Sequence, residues 1–188
     1  MTERAVFLDK DGTLVRDLPY NVDPARIELV PGALAALATL QAAGYRLAVV
    51  TNQSGVARGF FDESALGAVE ERLRQLLAEG GVVLDAFLHC PHHPDGTVAD
   101  FAVECGCRKP RPGLVRRAAG ILGVEPAASW FVGDILNDVE AGSRAGCRTV
   151  LVDVGSETEW QDGPHRRPDV VVPDLPAAAR AILARTAS

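Results

Sequence analysis

Phe7-Leu8-Asp9-Lys10-Asp11-Gly12-Thr13-Leu14-Val15 is the stretch on which the reading of this chain turns. The run that leads into it, Ala5-Val6-Phe7-Leu8, is apolar at every position and too short for a helix. Such a run is expected as a strand buried on both faces. It stops at Asp9, and Gly12-Thr13 breaks it. Two carboxylates spaced i and i+2 at a strand end can reach one cavity, with the intervening Lys10 expected to point elsewhere.

The same pattern repeats along the chain. Leu47-Ala48-Val49-Val50 ends at Thr51-Asn52, and Trp130-Phe131-Val132 ends at Gly133-Asp134. Val83 to Leu88, Thr149 to Val152 and Val170 to Val172 are three further strands. Helices fall between them. Leu34, Leu37 and Leu40 mark one that Gly44 closes. Leu66, Val69, Leu73, Leu76 and Leu77 mark a second, with Asp62 as its expected N-cap. Pro112 fits the first turn of a third that reaches about Leu122. A fourth follows Asp134 to about Arg144, and a last one runs from Pro176 to Arg185, with a frayed tail beyond. Doubly apolar strands alternating with amphipathic helices call for an α/β fold, a Rossmann-like parallel sheet with helices on both faces. Ligands of such folds bind at the carboxyl ends of the strands, near a switch in strand order. Asp9, Thr51 and Asp134 all sit where a strand stops.

Composition narrows the function classes. A length of 188 residues suits one domain, 1–188, able to bury its own core. A net charge of -6 argues against nucleic acid or an anionic membrane as partner, because both need clustered Lys and Arg. The most apolar long segment, Ala33 to Val50, is interrupted by Thr39, Gln41, Gly44 and Arg46 and falls short of a membrane span. Met1-Thr2-Glu3-Arg4 runs straight into the first strand and leaves no room for a secretory signal, so a cytoplasmic protein is expected. Its four cysteines then read as metal ligands or buried thiols rather than disulfides. The sequence leaves the oligomeric state open.

Asp9, Asp11, Asp134 and Asp138 would repel one another unless a cation joined them. Magnesium suits hard oxygen ligands and leaves positions for a phosphate. One carboxylate can then attack phosphorus while a neighbour handles the leaving-group proton. Thr51, Asn52 and Lys109 are the groups available to neutralise the phosphoryl oxygens. Taken singly, Asp9-x-Asp11 or Gly133-Asp134 reads equally as a turn former or a helix cap; all of them in this order do not.

Cys90 to Cys107 is long for a structureless loop inside a domain. Cys90-x-His92 and Cys105-x-Cys107 offer three thiolates and an imidazole, a tetrahedral zinc set. Spacing leaves His92 and His93 competing for the fourth place. Cys147 reads as a small buried residue.

These residues carry a resemblance to the haloacid dehalogenase superfamily. Phe7 to Val15 resembles its first motif, Val50-Thr51-Asn52 its second, Lys109 its third, and Val132-Gly133-Asp134 with Asp138 its fourth. The resemblance implies that Asp9 is the nucleophile, and that Asp11 is general acid and then base. It implies that Thr51 and Lys109 hold the phosphoryl group, with magnesium on Asp9, the Asp11 carbonyl and Asp134. Cys90-Pro91-His92-His93-Pro94, Cys105-x-Cys107-Arg108-Lys109-Pro110 and Thr51 to Gly59 are similar to the superfamily's sugar-bisphosphate phosphatases, a frame shared by histidinol-phosphate phosphatases. That likeness implies structural zinc on Cys90, His92, Cys105 and Cys107, and substrate contacts from Asp17, Tyr20, Gln53, Ser54 and Arg108. Ile135 stands where those phosphatases carry a Lys, and it cannot contact a phosphate. The spacings from Asp11 to Thr51 and from Thr51 to Lys109 leave no room for a cap of about 50 residues beside the elements already counted.

Two other classes fit less well. A phospho-accepting receiver domain would carry its Asp on a middle strand rather than the first. A zinc-ribbon module for nucleic acid would need more than Arg108, Lys109, Arg111 and Phe101 around the metal.

Overall fold

The computed structural model describes residues 3–186. Six strands, β1 (Arg4–Leu8), β2 (Tyr45–Asn52), β3 (Ala86–Cys90), β4 (Trp130–Gly133), β5 (Arg148–Val152) and β6 (Val170–Val172), form one sheet in the order β3-β2-β1-β4-β5-β6. Every pair is parallel. Helices α1 (Ala33–Ala42), α2 (Ala65–Ala78), α3 (Gly113–Leu122) and α4 (Leu136–Ala145) connect successive strands from β1 to β5, and α5 (Leu175–Thr186) follows β6.

Alternation along β1 explains the layers. Val6 and Leu8 face a core shared with α1, α2 and α5, through residues such as Leu37, Leu73 and Ile182. Ala5 and Phe7 face the other core, built with α3 and α4 through Leu114, Ala118 and Ala141. Phe7 is fully buried, and leaving water contributes about 1.5–3 kcal/mol for such a side chain. Cys147 packs in this second core, and burial pushes its thiol up to about 12.

The strand order reverses between β1 and β4, so the crevice of the sheet opens at their carboxyl ends. Three local expectations shift. The third strand is Ala86–Cys90 rather than Val83 to Leu88. Asp85 fixes that register: its backbone N–H donates to Leu47 O at 2.8 Å, and its carboxylate accepts from the Leu47 N–H and the Arg46 guanidinium. Val82 and Leu84 fill the core without joining the ladder. Helix α2 begins after Ser64, not Asp62, and neither side chain caps it. Pro112 is the residue before α3 rather than within its first turn. The last helix continues through Thr186, and the remainder of the tail expected to fray lies outside the described residues. Among the described residues no helix is long and apolar enough to cross a membrane.

Candidate active site

Strand β1 delivers Asp9. Its N–H donates to Val132 O at 3.0 Å, which carries the β1–β4 pairing one residue past the strand. The chain then turns back on itself: the Leu14 and Val15 N–H groups both donate to Lys10 O, and Gly12 N–H donates to Val15 O. Gly12 has φ +79°, and a Cβ there would strike the Asp134 carboxylate. Only glycine meets both demands. Thr13 Oγ1 donates to Asp134 Oδ1 at 3.2 Å and fastens this turn to β4.

Strand β4 delivers Asp134, and the first turn of α4 delivers Asp138. A Cβ on Gly133 would overlap the Asp138 side chain, so glycine lets that turn close over the strand end. Asp138 Oδ2 accepts from the Ile135 N–H at 3.3 Å. The long loop after β3 delivers Lys109, whose backbone N–H and C=O are both bonded by the Asn52 side-chain amide, at 3.0 and 3.1 Å. Its Nζ donates to Asp9 Oδ1 at 2.7 Å and stands 2.6 Å from Asp138 Oδ1. The second contact is a buried ion pair, and both of its side chains are almost fully out of solvent.

Asp9, Asp134 and Asp138 place carboxylate oxygens within 4.8 Å of one another. One ammonium among three ionised carboxylates leaves two negative charges uncancelled, in a place where Asp138 has no exposure at all. Hard oxygens gathered within 4.8 Å and an excess of negative charge together fit a divalent cation such as magnesium. The titration behaviour agrees with that excess. Burial, then the Asp9 charge, push Asp134 up to about 6. Burial pushes Asp138 up against the pull of Lys109, and Asp9 and Asp134 add to the push. Burial alone would lower Lys109, but Asp138 and Asp9 reverse this and hold its ammonium above the ordinary range.

A stability test follows from Asp134. Its folded value of about 6 exceeds the ordinary 3.8, so between those values the folded chain binds more protons than the unfolded one. Stability therefore falls as pH rises through that window, by about 3 kcal/mol from this group. Urea unfolding of the metal-free protein from pH 4 to 7 is expected to show this loss relative to Asp134→Asn, and magnesium at pH 7 to reverse it. A fall of the same size in Asp134→Asn would refute the assignment to this carboxylate.

The other residues singled out by sequence are distributed as follows. Thr51 is buried, and its Oγ1 accepts from Gln53 Nε2 at 3.0 Å. Asn52 spends its amide on the Lys109 backbone. Gln53 also donates to Asp11 Oδ2 at 3.2 Å. Asp11 is part-exposed and outside the three-carboxylate group; burial raises its pKa against the attraction of Lys10. Ser54 is half-buried beside these residues in sequence, and its carbonyl accepts from the Arg58 N–H. Half-buried Arg108 donates from Nη1 to His92 O at 3.3 Å. Asp17 is exposed and makes no side-chain bond among the described residues. Tyr20 sets its ring edge-on to Phe60, 4.7 Å between centroids, with φ +57°. Lys10 corrects an expectation: its side chain does not point away but folds onto Asp11 Oδ1 at 2.5 Å, almost fully buried. The turn at Gly12 ends strand alternation before it can be applied to Lys10. Thr13 was not singled out, although a hydroxyl just past a conformationally free glycine was the available signal.

Cys90, His92, Cys105 and Cys107 form a second group within 4.8 Å. Their sulfurs stand 3.1–3.5 Å apart, and His92 Nδ1 lies 3.4 Å from Cys107 and 3.6 Å from Cys90. A tetrahedron with Zn–S bonds near 2.3 Å has edges of about 3.8 Å, so the set is compatible with zinc. His92 turns into the group. His93 instead accepts from the Asp95 N–H at Nδ1 and meets Arg58 at Nε2.

A six-stranded parallel sheet whose reversal point gathers Asp9, Asp134, Asp138 and Lys109 defines a HAD-like phosphatase, a phosphoric monoester hydrolase. A family model described as HAD-hydrolase-like matches residues 106–178. The D-glycero-beta-D-manno-heptose-1,7-bisphosphate 7-phosphatase of Pasteurella multocida is 40% identical over 177 residues, 93% of this chain and 95% of that one. The enzyme of the same name from Yersinia pestis is 43% identical over 152 residues, 80% of this chain and 81% of that one. The crystal structure of D,D-heptose 1,7-bisphosphate phosphatase from B. bronchiseptica, complexed with magnesium and phosphate, superposes with a TM-score of 0.78 at 36% identity, covering 97% of this chain and 99% of that one. The chain belongs to the D-glycero-beta-D-manno-heptose-1,7-bisphosphate 7-phosphatase family.

Proposed function

We propose that this chain is a magnesium-dependent phosphatase that removes the 7-phosphate of D-glycero-D-manno-heptose 1,7-bisphosphate through an aspartyl-phosphate on Asp9. The observation that carries the reading is Lys109 Nζ, seated between Asp9 and Asp138 at the reversal point of the sheet. An ammonium touching the nucleophile also meets the phosphoryl oxygens that approach it. The relatives' printed names supply the sugar, and their β anomer is the one expected here.

In the first step an Asp9 carboxylate oxygen bonds to phosphorus. The bond from phosphorus to the C7 oxygen breaks, and Asp11 gives its proton to that oxygen. In the second step water attacks the aspartyl-phosphate, Asp11 takes the proton, and inorganic phosphate and the Asp9 carboxylate are regenerated. Thr51 and Lys109 hold the phosphoryl oxygens throughout, and Asn52 fixes Lys109 from behind. Asp9, the Asp11 carbonyl and Asp134 would hold magnesium, with Asp138 balancing Lys109; the ion supplies positive charge for the phosphoryl oxygens.

Residues 1–188 act as one catalytic domain without a cap. Cys90, His92, Cys105 and Cys107 would hold a structural zinc, which would pin the loop 90–107 that hands the chain directly to Arg108 and Lys109. Asp17, Tyr20, Ser54 and Arg108 form the rim that meets the sugar and its second phosphate. A cytoplasmic location suits four cysteines that form no disulfide with one another.

The test is phosphate release with magnesium from both anomers of the heptose bisphosphate, histidinol phosphate, fructose 1,6-bisphosphate and simple monoesters. The β-heptose bisphosphate is expected to give the highest kcat/KM. Preference for histidinol phosphate, or none at all, would overturn the substrate while leaving the chemistry standing.

A further inference from the structure

Asp11 has a separate donor on each carboxyl oxygen. Lys10 Nζ lies 2.5 Å from Oδ1, and Gln53 Nε2 lies 3.2 Å from Oδ2. The donors come from different places, Lys10 from the turn after β1 and Gln53 from just past the end of β2. Both are buried, Lys10 at 3% and Gln53 at 5% exposure, whereas the Asp11 side chain keeps 31%. The carboxyl group is gripped from the protein side and open on the other.

Stability alone is a poor reason for this arrangement. The pair sets a buried ammonium against a carboxylate that keeps 31% exposure, a poor exchange for the lost hydration of the ammonium. Burying an ammonium costs several kcal/mol unless it is well paired. Lys10 has three donors and, among the described residues, one partner, so an apolar side chain of the same length would be the less costly occupant. Gln53 adds a second link, because the same Nε2 donates to Thr51 Oγ1 at 3.0 Å. The proposed proton donor and a proposed phosphoryl ligand are thereby set from one amide.

We propose that Lys10 and Gln53 are positioning residues that lock the Asp11 carboxyl in the orientation from which it serves the leaving group, an inference that rests on the acid–base role given to Asp11 above. With one donor on each, the Asp11 oxygens keep a second lone pair apiece, and the proton passes from one of these to the ester oxygen. Neither Lys10 nor Gln53 need touch the substrate.

The experiment compares leaving groups. The alkoxide of the heptose needs a proton as it departs, whereas p-nitrophenolate does not. In Lys10→Met, kcat/KM for the heptose bisphosphate is expected to fall about 100-fold, the scale of a misplaced catalytic group, and that for p-nitrophenyl phosphate less than about fivefold. Lys10→Arg is expected to recover most of the loss, because a guanidinium also reaches the carboxylate. Gln53→Leu is expected to repeat the leaving-group pattern and serves alone if Lys10→Met does not fold. Equal losses on both esters, no loss, or no recovery in Lys10→Arg would overturn the clamp. Asp11→Asn runs beside them: if it shows no leaving-group dependence, the acid–base role itself fails, a result distinct from failure of the clamp.

Discussion

Asp9→Asn lowers phosphate release from the heptose bisphosphate by about 10⁴-fold or more, the scale for removal of a covalent nucleophile. The amide keeps the size of the carboxylate and still accepts from Lys109 Nζ, so the pocket retains its shape. It cannot form the phosphoryl bond. The same change removes one of three crowded negative charges and relieves the repulsion that raises Asp134 and Asp138. The inactive protein is therefore expected to unfold at a higher urea concentration than the active one when both are metal-free. Phosphate assays and urea melts on one preparation check both halves. Activity above a tenth of the parent's would remove Asp9 from the centre of the mechanism.

Lys109→Met carries the second large effect. The side chain is 2% exposed and is the cation within 4.0 Å of both Asp9 and Asp138. Phosphate release is expected to fall about 10³-fold, as when a charge-stabilising donor is lost from a buried site. Breaking one side of a buried pair costs about 3–5 kcal/mol, and Asp138, with no exposure, bears most of it. Magnesium should restore part of the stability and little of the activity, since it replaces the charge but not the position of the ammonium. A loss below tenfold would mean that Lys109 only balances Asp138.

Much of this was legible because parallel strands covered on both faces leave few places for polar groups. Asp9, Thr51 and Asp134 stood out where apolar runs stopped, and the sheet's order gathers those ends. Lys109 was available as a cation and matched a motif, and its seat between two acids required the fold. Strand logic failed where strands end. Lys10 was read by alternation, but the turn at Gly12 sends its side chain back onto Asp11. The amides of Asn52 and Gln53 bond to Lys109 and Asp11, partners that lie 57 and 42 residues away and that no pattern around residues 52 and 53 announces. The register of β3 was missed because Asp85, a polar residue beside an apolar run, sets it through Arg46 and Leu47. Side-chain bonds across such distances have no local signature.

The pairing of β1 with β4 has a consequence for the life of the chain before it is an enzyme. Asp9 leaves the ribosome more than 120 residues ahead of Val132, Asp134 and Asp138. Until then β1 and β2 can pair, while the nucleophile lacks the strand that holds its backbone and the carboxylates that complete its cation site. Domains generally fold as units, and contacts between distant segments are slow to form. The growing chain therefore carries Asp9 without being able to use it. Catalytic competence therefore waits on the strand that pairs with β1 from the far half of the chain.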